Sequence, residues 1–114
     1  MCAHSLHERH ASADELFELC RAVVAAGGTW RMIVEGDSML PTIKPNSQIT
    51  LVACPQPVPL GAIVLARNTH KVVLHRVVRR KAGLVLLAGD ANRHVDDWLP
   101  VEGIAAQLIS WHYN

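Results

Sequence analysis

Aromatic side chains are scarce in this chain: three Trp, one Tyr and one Phe. A surface that stacks on unpaired bases needs such rings, so a nucleic-acid platform is not expected. An excess of either charge is missing too. Eleven Lys and Arg stand against ten Asp and Glu, for a formal net charge of +1. No global field draws such a chain to nucleic acid or to an anionic membrane. Cysteine is limited to Cys2, Cys20 and Cys54, an odd number with no C-x-x-C spacing. That argues against a disulfide framework or a zinc ribbon and fits a reducing, cytoplasmic setting. Long hydrophobic runs are absent. "AVVAAGG" (22–28) falls far below the roughly 20 apolar residues that span a bilayer. The opening "MCAHSLHERHAS" has no apolar core of the signal-peptide kind, so no integral membrane segment is expected.

Half of the residues are hydrophobic and 18% are charged, an ordinary globular balance for one domain. Residues 1–11 are polar and carry His4, His7 and His10 at every third position, near Cys2. Such tracts can bind metal, but a flexible terminal tail is the commoner outcome, and no metal or other cofactor is expected. Residues 12–28 read as an amphipathic helix. Ser12 and Glu15 form a capping-box pattern, Leu16, Leu19, Cys20, Val23 and Val24 keep helical spacing, and Gly27-Gly28 ends the run. Packing on its own domain is the usual fate of such a helix, although the segment 13–26 could also make peripheral contact with a membrane or partner.

From residue 29 to 114 the texture is β-rich. Short runs at 29–35, 47–53, 61–67, 71–80, 83–89 and 103–111 are separated by turn residues, which predicts an all-β, barrel-like domain. The stretch "GDANRHVDDWLP" (89–100) lacks periodicity and reads as a polar loop.

One serine stands out, Ser38 in "GDSMLPTIKP" (36–45). Alone it is a turn residue, because a hydroxyl needs a base in reach before it attacks anything at neutral pH. His75, in "KVVLHRVVRR", is the best base. It shares a strand face with Val73 and Val77, where an imidazole needs a partner to offset desolvation. His70, His94 and His112 lie near loops or an end and are weaker candidates. A carboxylate must orient the imidazole, and Asp90, Asp96 and Asp97 share one loop. Asp96 and Asp97 are adjacent, so only one of them is expected to face the site.

In order and spacing these segments resemble the signal peptidase I family over residues 32 to about 109. The serine box Gly-x-Ser-Met-x-Pro-Thr is matched by Gly36, Ser38, Met39, Pro41 and Thr42, and the Gly-Asp-x-Asn box by Gly89, Asp90 and Asn92. The resemblance implies a coiled β-sheet catalytic core. His75-Arg76, where most bacterial members carry lysine, resembles the serine-histidine branch of archaea and the endoplasmic reticulum. It implies Ser38 as nucleophile, His75 as general base, Asp97 as the orienting carboxylate and Asp90 as an accessory group. Gly36 stands where some members place a second oxyanion-binding hydroxyl. Membrane-bound members carry an anchor, which is not expected here, and the same clan holds self-cleaving SOS-type repressors with a separate DNA-binding domain. A soluble endopeptidase acting on a precursor peptide or protein is therefore the expected function. A non-catalytic peptide- or protein-binding module on the same fold is the alternative.

Overall fold

The computed structural model describes residues 12–69, 71–92 and 94–113. Helix α1 spans Ala13–Ala25. Ser12 closes the capping box, its hydroxyl accepting from the Glu15 N–H while the Glu15 carboxylate accepts from the Ser12 N–H. The chain leaves the helix through Gly27 at φ +90°, a conformation that costs glycine little. Seven strands follow: β1 (Trp30–Ile33), β2 (Gln48–Val52), β3 (Ile63–Arg67), β4 (Val72–Lys81), β5 (Leu84–Ala88), β6 (Leu99–Pro100) and β7 (Ile104–His112). They form one sheet in the order β1-β2-β7-β3-β4-β5-β6, with every pair antiparallel. The sheet curls into a half-barrel, so the mostly β expectation holds. The 89–100 segment is not loop throughout: Leu99 and Pro100 pair with Val85 and Leu84. Two residues are too few to show a period of two, which explains why the pattern did not reveal β6.

Both faces of the sheet carry apolar clusters. One joins Phe17, Cys20 and Val24 of α1 to Met39, Ile43, Ile49, Leu51, Ile63, Leu65, Ala105 and Ala106. The other gathers Val58, Val64, Ala66, Val77, Val85, Leu87, Leu99 and Ile104. The helix buries Phe17, Cys20 and Val24, whereas Leu19 is 46% exposed, so the buried stripe is rotated from the one expected. The reason is Phe17. Its ring lies beneath the guanidinium groups of Arg67 and Arg21, at 4.5 and 5.0 Å, and Arg67 also pairs with Glu18 and Asp14 on the helix. Arg67, reaching across from β3, sets the rotation of α1 against the sheet, while Arg21 covers the ring from within the helix. Burial pushes the Cys20 thiol up to about 11, against the pull of Arg21, so it packs as a neutral apolar group. No helix among the described residues is long and apolar enough to cross a membrane.

Candidate active site

The polypeptide between β1 and β2 makes a series of tight turns, and Ser38 lies on it. Gly36 adopts φ +84°, which an L side chain rarely takes, and so turns the chain out of β1. Two residues past Gly36, the half-buried Ser38 is followed by Met39, whose side chain is buried in the helix-side core. The Met39 carbonyl accepts from Ile43 N–H, and Asp37 C=O accepts from Leu40 N–H. Met39 and Ile43 thus anchor the turn from below while Ser38 remains half-exposed above it. Pro41 follows in a cis peptide.

The Gly89–Asn92 turn, where the chain leaves β5, is bolted to that loop. The Ser38 carbonyl accepts from Ala91 N–H at 2.9 Å, and the Gly89 carbonyl from Asn92 N–H at 3.0 Å. Asp90 receives two hydrogen bonds from the Arg76 guanidinium, at 2.9 and 2.8 Å, and one from the Thr42 hydroxyl at 2.5 Å. The serine box, the Gly-Asp-x-Asn box and strand β4 therefore meet at one carboxylate. Arg76 holds Asp90 below the usual carboxylate range, with help from Thr42 and against the opposing effect of burial.

That shift predicts a pH signature. A carboxyl whose folded pKa is depressed stabilises the fold fully above its unfolded value of about 3.9 and loses the effect as pH falls through the lower folded value. Asp90→Asn is expected to lower the melting temperature at neutral pH, with the gap to the wild type closing as the pH falls below about 4. Thermal melts across pH 2–7 check this, and a constant gap would place the pH dependence elsewhere.

His75 is 4% exposed. Its Nδ1 lies 2.6 Å from Asp96 Oδ2. An ionised carboxylate only accepts, so Nδ1 carries a proton, and in the neutral imidazole that leaves Nε2 with its lone pair. Nε2 points to the Gly89 side. A Cβ built on Gly89 would stand 3.1 Å from Nε2, 2.6 Å from the Ser38 carbonyl oxygen and 2.9 Å from Asn92 Nδ2. Gly89 is the point where the Ser38 loop and the imidazole approach, and only a hydrogen fits between them. Gly89→Ala is expected to displace the Ser38 backbone at a cost, because the new Cβ would stand 2.6 Å from a backbone oxygen that has no flexible side chain to swing away. A displacement of about 1 Å at a reacting group costs on the order of 100-fold in rate, which hydrolysis or acylation kinetics would register.

The carboxylate beside the imidazole is not the one the resemblance implied. Asp96, not Asp97, meets His75. The Asp96 N–H donates to Leu87 C=O at 2.7 Å, which ties this residue to β5 and sets its side chain against the imidazole. Successive side chains of an extended segment point to opposite sides, so Asp97 turns outward and is exposed. Nothing in "VDD" distinguishes one parity from the other. His94 and His112 are exposed, and His70 lies outside the described residues. Among the described residues no group of His, Cys, Asp and Glu is placed to hold a metal, and the Cys2, His4, His7 and His10 tract lies outside them.

Ser38, His75, Asp96 and Asn92 line one cleft of about 370 Å³ with Val34, Glu35, Met39, Lys71, Val72, Val73 and Leu74. Consecutive β4 residues line it because strand pairing is one-sided there. Val72–Arg76 pair with β3, but β5 joins β4 only from Arg76 onward. The edge of Val72–His75 is thus open to the cleft, and the 34–39 segment forms the facing wall. This is a slot of the kind that takes an extended peptide by strand addition.

A curled antiparallel sheet with serine, imidazole and carboxylate gathered beside an open strand edge defines a serine-peptidase-like protein. The chain belongs to the Peptidase S24-like family, whose model matches residues 3–105. The match is to this broader family and makes no specific assignment to signal peptidase I. Searches among curated proteins and among solved structures gave no significant match.

Proposed function

We propose that the chain is a serine endopeptidase that cleaves an extended segment of a precursor peptide or protein. Ser38 is the nucleophile, His75 the general base and Asp96 the orienting carboxylate. The observation that carries the reading is the buried imidazole. Its Nδ1 is bound to Asp96, and its Nε2 lies beside Gly89, which the Ser38 carbonyl also approaches, with both residues lining one cleft.

In the reaction, the Ser38 hydroxyl oxygen attacks the scissile carbonyl carbon and its proton passes to His75 Nε2. Asp96 stabilises the imidazolium that forms. The Ser38 N–H is not used in a backbone hydrogen bond among the described residues and can donate to the oxyanion. The imidazolium then protonates the leaving amine. Water, deprotonated by the same imidazole, releases the acyl group and restores Ser38. The open edge of Val72–His75 would hold the peptide backbone in line for this attack. The test is covalent labelling with a fluorophosphonate, which acylation-competent serines attack. Modification mapped to Ser38 supports the reading. A protein that stays unlabelled, but binds extended peptides, would instead be a peptide-binding module on this fold.

A further inference from the structure

The slot has two chemically different faces. Trp30, Met32 and Val34 pack toward the helix-side core, as do Val72 and Leu74 of β4, and Met39 is buried in the same cluster. Val73 packs toward the opposite cluster. Strand alternation places Lys71 and His75 on the Val73 side. On the facing wall, exposure alternates from Trp30 to Glu35, which puts Glu35 on the row opposite to Val34. A peptide lying in the slot would therefore turn every second side chain toward Val34, Met39, Val72 and Leu74. The intervening side chains would face Lys71, Glu35 and the catalytic groups.

Lys71 occupies the tip of the β3–β4 hairpin, where its carbonyl accepts from Asn68 N–H, and its side chain is exposed. Neither Lys71 nor Glu35 forms a salt bridge with another described residue. Lys71 lies four residues before His75 on the same strand face, a span of roughly 13 Å. We infer that Lys71 is a specificity residue, selecting an acidic side chain on the bound peptide four residues from the scissile bond. This rests on the slot being the substrate site, as proposed above. A residue four positions from the one opposite His75 returns to the same face, directly across from the ammonium group. Glu35, which forms no salt bridge with another described residue, disfavours a second acidic residue nearby.

The test uses labelled decapeptides of alternating Val and Thr, each with a single Glu, Gln or Lys at one position, the position varied along the series. Binding to the Ser38→Ala protein is read by fluorescence anisotropy, so cleavage is not needed. An exposed opposite-charge pair across strands supports about a 1.5- to 5-fold preference for Glu over Gln at the favoured position. Lys71→Gln should erase the preference, and Lys71→Glu should transfer it to the Lys peptides. The Lys71 side chain is exposed, and unchanged melting temperatures would show that the fold is intact. Equal affinity for Glu, Gln and Lys peptides, a preference that survives Lys71→Gln, or no binding by any peptide would each overturn the inference. Fluorophosphonate labelling of the wild type reports separately on the peptidase reading. A labelled Ser38 with no charge preference would leave that reading standing and remove this one.

Discussion

Ser38→Ala is expected to abolish fluorophosphonate labelling and to lower peptide hydrolysis by about 10⁶-fold, the scale on which nucleophile or base removal acts in serine peptidases. The reason is chemical and local. The hydroxyl is the one group between Gly36 and Pro41 that can form an acyl bond, and alanine keeps Cβ in place. Met39, Ile43 and the Ala91 N–H to Ser38 C=O bond still anchor the turn, so the melting temperature should change little. His75→Ala is expected to lose a comparable factor, because residues that act as one unit are not additive. The double variant should therefore be hardly slower than either single one. Hydrolysis that continues at the wild-type rate in Ser38→Ala would place the nucleophile elsewhere.

Asp96→Asn is expected to lower turnover by about 10⁴-fold while Asp97→Asn leaves it within a few-fold of wild type. Asparagine keeps the size of the side chain but can turn its amide N–H₂ toward Nδ1. The imidazole then favours the tautomer that carries its proton on Nε2, and the base is lost. The Asp96 N–H to Leu87 C=O bond is backbone and persists, so fold and loop position are retained. Asp97 is exposed and its change alters only solvated charge. Rates of acylation and hydrolysis for the two variants, measured side by side, decide between the carboxylates. A large loss in Asp97→Asn with a mild one in Asp96→Asn would show that the loop reorganises when substrate binds.

The two carboxylates, Asp90 and Asp96, thus take different partners. Asp90 is consumed by Arg76 and Thr42 and ties three segments together, while Asp96 is free to meet the imidazole. The distinction comes from neighbours rather than from residue type. Arg76 and His75 are adjacent on β4 and therefore point to opposite sides, each taking the carboxylate on its own side.

Several features were set by the sequence itself. The capping box and Gly27-Gly28 bound α1, because capping is a short-range matter of donors, acceptors and allowed φ. Six of the seven strands were legible from β-branched runs between turn residues. The serine box marked Ser38, and the burial of His75 followed from its place among valines. Tertiary structure alone decided the rest. The rotation of α1 depends on Arg67 over Phe17 and paired with Glu18 and Asp14, and Arg67 comes from a strand distant in the chain. β6 exists because β5 offers an edge for Leu99 and Pro100, and two residues carry no periodic signal of their own. The choice of Asp96 over Asp97 rests on one backbone hydrogen bond to Leu87, which fixes the parity of an extended segment. The slot arises where β5 parts from β4 at Arg76, leaving a strand edge unpaired. A local pattern specifies what each residue can do, but which edge is left open depends on how non-adjacent strands pair, and that is settled only when the sheet forms.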